Sequence, residues 1–137
     1  MSLSQGLTTQ AKYAALGYVT AGTLKMALYT GNATLGPSTL VYTTANEVSS
    51  VGTGYTAGGK TLTGVTLQQG DGVAYLSFDN VTWSPADFTA RGALIYNTSL
   101  GNLAVAVLDF GADKTATTSF TVQLPADTSS AAIIRIA

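Results

Sequence analysis

From Leu24 onward the chain alternates apolar and polar residues with a period of two, in short runs broken by Gly, Pro, Asn and Asp. That period puts successive side chains on opposite faces of an extended strand, a pattern no helix satisfies. The runs LKMALYT (24–30), TLVYT (39–43), KTLTGVTL (60–67), GVAYLSF (72–78), DNVTW (79–83), FTARGALIYN (88–97), LAVAVLDF (103–110), SFTVQL (119–124) and AAIIRI (131–136) all read as strands. Between them lie the loop 31–38, a long Gly-rich connection over 44–59, a turn at 97–102, the loop 111–118, and a turn at Pro125 and Asp127. Asp71-Gly72 suits the positive φ angles of a type I′ hairpin turn, Gly92 marks a bend or a close backbone approach, and LAVAVLDF, apolar on both faces, reads as a central strand. Short strands in this number, separated by turn chemistry, predict an all-β fold: an antiparallel, jelly-roll-like β-sandwich of about eight strands.

Residues 1–22 stand apart. Leu7, Ala11, Ala14, Ala15 and Tyr18 fall at helical spacing, although Gly6 and Gly17 weaken the stretch, which predicts a short helix or an ordered arm. The expected division is an arm over 1–22 and a sandwich over 23–137, with the core complete without the arm. Neither an internal repeat nor a linker is visible.

Composition limits the chemistry. The 137 residues include no Cys and no His, which excludes thiolate nucleophiles, zinc–sulfur sites and His-dependent triads. Charged residues make up only 9%, six basic against seven acidic, so there is no positive surplus for a phosphate backbone, and no nucleic-acid partner is expected. No apolar run approaches the ~20 residues of a membrane span, and the first residues lack the pattern of a secretory signal. With a mean hydropathy of +0.28 and almost no net charge, the chain is ordered rather than disordered. Its weakly charged surface favours association, so burial against partners or copies of itself is expected.

Several strings invite chemistry. Residues 54–61, GYTAGGKT, match the phosphate-binding pattern G-x-x-x-x-G-K-[ST], and AVAVLD (104–109) resembles an apolar strand ending in a metal-binding Asp. That chemistry needs a helix after the loop. Here the residues after Thr61 alternate as a strand, so nucleotide binding is not expected. Asp109-Phe110-Gly111 lacks the length and companion motifs of a kinase. Asn32, Asn80 and Asn97 head glycosylation sequons by string only. Among the carboxylates, Asp71, Asp79, Asp87, Asp113 and Asp127 sit at turns, where Asp bonds backbone. Glu47 lies in the Gly-rich connection, and Asp109 is expected to pair with Arg91 or Lys114. Trp83, the only Trp, is expected in the core rather than under a sugar ring, and the seven Tyr suit interface packing or glycan contact. No enzyme activity, cofactor or metal is expected.

The stretches ALYTGNATLGPST (27–39), YTTANEV (42–48), GTGYTAGGKTLTGV (52–65), LSFDNVTW (76–83), FTARGALIYN (88–97), AVAVLDFGADKTAT (104–117) and FTVQLPADTSSAAIIRIA (120–137) together resemble the capsid cement, or decoration, proteins of tailed bacteriophages, including short-tailed cyanophages. Residues 49–51 lengthen the usual EVxGxGY spacing. The resemblance implies a β-sandwich forming homotrimers on the outer capsid surface of the virion, where it reinforces contacts between major capsid subunits; it supplies no catalytic or metal residues. Related sandwiches at the distal ends of tailspikes make a receptor- or glycan-binding tail module, with a host-surface glycan as partner, the alternative. On the cement reading, Leu7, Ala11, Ala14 and Tyr18 are expected to touch the capsid or a neighbouring copy, with no membrane involved.

Overall fold

The computed structural model describes residue 3 and residues 5–137. It is an antiparallel β fold with one α-helix, as the alternation predicts. In chain order the elements are α1 (Thr9–Thr20), β1 (Leu24–Tyr29), β2 (Lys60–Thr61), β3 (Thr66–Gly70), β4 (Val73–Ser77), β5 (Val81–Trp83), β6 (Phe88–Asn97), β7 (Leu103–Ala116), β8 (Phe120–Val122) and β9 (Ile134–Ile136). One layer is the four-stranded sheet β2-β1-β6-β7. The other comes in two pieces, β3-β4-β9 and β5-β8. All of them feed one core, in which Met26, Leu28, Ala93 and Ile95 meet Leu76, Val81, Trp83, Phe120 and Val122. Trp83 is 1% exposed, as expected of a core anchor, and sits edge-on to Phe120 at 6.2 Å between ring centroids.

The four-stranded sheet is covered on both faces. Ala27, Tyr29, Leu94 and Tyr96 point away from the main core and are packed over by Ala33, Leu35 and Tyr42 from the connection after β1. Tyr42 stacks on Tyr96 with 4.6 Å between centroids. Both faces of β1 over Met26–Tyr29 and of β6 over Ala93–Tyr96 are therefore apolar.

Several strands differ from the sequence reading. FTARGALIYN is one strand over the expected residues, and at Gly92 an added Cβ would lie 2.7 Å from the Leu108 carbonyl oxygen, so the close approach is to β7. KTLTGVTL is two strands: β2 pairs with β1, whereas β3 begins the other layer. Gly64, with φ +65°, lies in the break, and an added Cβ there would fall 2.3 Å from an Asp79 carboxylate oxygen. TLVYT makes only an isolated bridge, Val41 to Leu103. The hairpin turn at Asp71-Gly72 has positive φ at both residues, as expected.

The largest correction is β7. LAVAVLDF is an edge strand, not a central one, and each residue from Leu103 to Leu108 is only half-buried. The strand also continues through GADKTA, read above as a loop. The register passes from Ala90↔Lys114 to Gly92↔Asp109, so Arg91 alone faces a bulge of residues 110–113.

The segment 1–22 is not independent of the core. Leu16 is 2% exposed within the main cluster, with Tyr13 and Val19 packed beside it. Thr8 caps α1, its hydroxyl accepting from the Ala11 N–H at 3.1 Å. At the other end, the Asn97 side-chain amide donates to the carbonyls of Val19 (2.9 Å) and Ala21 (2.8 Å), which the helix leaves unpaired. Asn97 is 0% exposed, so this sequon is a buried tie between helix and sheet. The expectation that the core is complete without residues 1–22 therefore fails. Sequence periodicity caught the outer stripe of the helix and missed the inner one.

Candidate functional site

Two places concentrate chemistry: a polar node around Glu47, and the open flank along β7. The node begins where β2 stops. β2 pairs only with Lys25 and Met26, so the outer backbone of β1 beyond them needs other partners. The connection 44–59 supplies them. Leu28 N–H donates to the Tyr55 hydroxyl at 3.0 Å, Val48 N–H donates to the Leu28 carbonyl at 3.0 Å, and Thr30 N–H donates to the Asn46 carbonyl at 2.9 Å. Glu47 fastens this connection. Its carboxylate accepts from the hydroxyls of Tyr42 (2.6 Å) and Tyr55, and from the Gly58 N–H at 2.8 Å. Tyr96 then donates to the Gly58 carbonyl at 2.7 Å, and Tyr29 donates to the Thr43 carbonyl at 2.6 Å.

Burial, reinforced by the Glu47 carboxylate, pushes the phenols of Tyr29, Tyr42, Tyr55 and Tyr96 above their ordinary value of about 10. These hydroxyls are held neutral, as donors. The node is a clasp that fastens the connection 44–59 to β1 and β6. Sequence reasoning left Glu47 unexplained. The available signal was one acid inside a Gly-rich connection of a chain with as many Tyr as acidic residues.

The phosphate-binding string is part of this clasp. At Gly59, φ +81°, an added Cβ would lie 1.7 Å from the Met26 carbonyl oxygen, and Lys60 pairs with Met26 in the sheet. Thr61 ends β2 and the break at 62–65 leads into β3, so the helix N-terminus that phosphate binding needs is not at this position.

The other carboxylates are spread out. Asp109 pairs with Arg91 at 3.8 Å, one of the two partners expected, and Arg91 reaches Asp113 at 3.8 Å as well, so it ties together the two ends of the β7 bulge. Exposed pairs of this kind contribute about 0–1 kcal/mol. Asp79 accepts from the Thr63 hydroxyl, and Asp71 from Ser129. Among the described residues, no group of three Asp or Glu is placed to hold a metal ion, and no helix is long and apolar enough to cross a membrane.

The four predicted contact residues separate. Ala14 and Tyr18 lie on the outer face of α1, with Tyr18 70% exposed. Ala11 is half-buried. Leu7 precedes the helix cap and is 63% exposed. Lys12, beside them, donates to the Gly72 carbonyl at 2.8 Å and helps hold α1 on the β3–β4 hairpin.

The open flank was missed by sequence reasoning, because an apolar strand reads as central. Ala104 N–H donates to the Leu40 carbonyl, so the connection after β1 covers the start of β7. From Val105 onward no described strand pairs with its outer edge. A cleft of about 590 Å³ separates this edge from that of β8 and is lined by Leu108, Phe110, Phe120, Val122 and Ile133 among others. No family model, no curated protein and no solved structure matches the chain.

Proposed function

We propose that the protein is a phage capsid cement protein that binds the outer capsid surface as a homotrimer and reinforces contacts between major capsid subunits. The observation that carries this reading is the uncharged, half-exposed edge of β7 on a sandwich whose polar groups serve internal ties. Exposed edges of monomeric proteins are normally guarded by charge, Pro or short length. Residues 105–108, beyond the part covered by the connection after β1, have none of these protections. Such a surface favours assembly, and the resemblance of the stretches quoted above points to a capsid as the place of assembly. Three copies of one weak contact add up to firm attachment.

The tail-module alternative needs exposed aromatic rings for sugar stacking. Trp83 is buried, as are Tyr29, Tyr55 and Tyr96, and the ring most exposed among the described residues, Tyr18, offers a single platform on α1, which favours the cement reading. Co-sedimentation with capsids lacking the protein tests it, together with copy number per virion. Saturable binding at hundreds of copies is expected. Binding to host cells with no binding to capsids would replace it with the tail module.

A further inference from the structure

The cleft between β7 and β8 has the shape of a missing strand. Each wall is the outer edge of its sheet, so each presents unpaired backbone N–H and C=O groups. Its floor is the end of the aromatic core, where Phe110 and Phe120 meet at 6.0 Å between centroids. An extended segment placed there would bond to backbone along its length and bury apolar side chains against these rings, the recognition mode of strand addition.

The chain carries a matching segment. Leu3 and Leu7 lie ahead of the Thr8 cap, outside α1, and expose large apolar side chains, at 89% and 63%. In an extended strand, residues four apart share a face, so Leu3 and Leu7 would enter the cleft together. Residues 3–8 carry no charge and no Pro, so nothing in them opposes pairing. The β8 side of the cleft runs over 119–123, a length this segment spans. The high exposure of Leu3 and Leu7 shows that they are not seated in the cleft of their own chain.

We propose that the β7–β8 cleft receives the segment around Leu3 and Leu7 of a second copy, so that neighbouring copies are strapped together by exchanged segments. This rests on the self-assembly part of the cement reading and specifies its contact. The contact is heterologous: the donor surface differs from the acceptor surface. Repeated head to tail, it closes into a ring when the rotation allows, and a trimer is such a ring.

The absence of cysteine allows a direct trap. Leu7→Cys and Gln123→Cys, both at exposed positions, are purified separately, refolded together from denaturant and oxidised. Asn32→Cys, exposed and away from the cleft, replaces Gln123→Cys as the control. A disulfide-linked heterodimer should form with at least tenfold higher yield in the Leu7–Gln123 mixture. Yield no higher than the control overturns the proposal. In parallel, the double variant Leu3→Asp/Leu7→Asp should shift the full chain from oligomer to monomer in light scattering, with an unchanged far-UV circular dichroism spectrum. An oligomer that persists in this variant also overturns it. Capsid binding reports separately: a wild-type trimer that binds capsids, together with no excess cross-link in the Leu7–Gln123 mixture, defeats the exchange and leaves the cement reading standing. Cross-linked oligomers that ignore capsids defeat the cement reading and leave the exchange standing.

Discussion

At the scale of single residues, Glu47 holds together the longest irregular stretch of the fold. Its partners are two hydroxyls and a backbone N–H, all donors, so a carboxylate accepts from every one without conflict. Glu47→Gln places a donor group among donors. The expected loss is about 1–3 kcal/mol of stability, read by urea denaturation at neutral pH. A change within experimental error would mean that the connection 44–59 is held by its backbone bonds alone. The same node gives a sign for alkaline pH. Phenols whose folded pKa is raised keep the proton more tightly in the folded state. Their contribution is complete below pH ~10 and is lost as pH rises through and beyond that value. Melting temperature should therefore fall between pH 10 and 12. Absorbance of tyrosinate should show Tyr29, Tyr42, Tyr55 and Tyr96 ionising above the ordinary phenol range while the protein is folded.

At the scale of elements, α1 belongs to the core through Leu16. Leu16→Ala should cost about 2–5 kcal/mol, as for a buried Leu that leaves a cavity, whereas Tyr18→Ala on the outer face should stay within about 0.5 kcal/mol. Equal small effects in chemical denaturation would restore the picture of a dispensable arm. Elements also show what the sequence made legible. β6 was readable to its ends because one face or both stay buried along its whole length. The turn at Asp71-Gly72 was readable because its chemistry is local. The split of KTLTGVTL was not, because both halves alternate and the change of layer happens at Gly64 through contacts with Asp79, far away in sequence. β7 misled twice. An apolar run marks burial against something, and within one chain the something is taken to be neighbouring strands. A bulge stapled by Arg91 looks like a loop when only its Gly and Asp are seen. The node at Glu47 was hidden for the same reason: its tyrosines come from β1, β6 and the connections between them, which only the fold brings together.

At the scale of the whole molecule, the low charge sets how copies meet. A net charge of -1 means that copies neither repel nor attract strongly at a distance. Assembly driven by apolar surface along β7 should therefore resist salt. The purified protein is expected to scatter light as about three times 13.9 kDa at both low and 1 M salt. Dissociation at high salt would shift the contact to the few charged groups, with Arg91, Asp109 and Asp113 the first to test. A monomer at every salt concentration, at micromolar protein, would count against self-assembly altogether.

β1 and β6 sit at the centre of the four-stranded sheet, pairing Leu24 with Asn97 and Tyr29 with Gly92 across about seventy residues of intervening chain. A growing chain cannot form that pair until β6 has been made, so the middle of the fold waits for Asn97, and the pairings of β7, β8 and β9 come later still. Closing so long a loop slows folding. The reverse holds for opening: both faces of the pair are covered, and the two strands cannot part without lifting the connection after β1 from one side or the other layer from the other. Covering of this kind favours slow unfolding, so persistence of the fold is a matter of rate as well as of equilibrium. The quantity that the order of the strands along the chain helps to set is a lifetime.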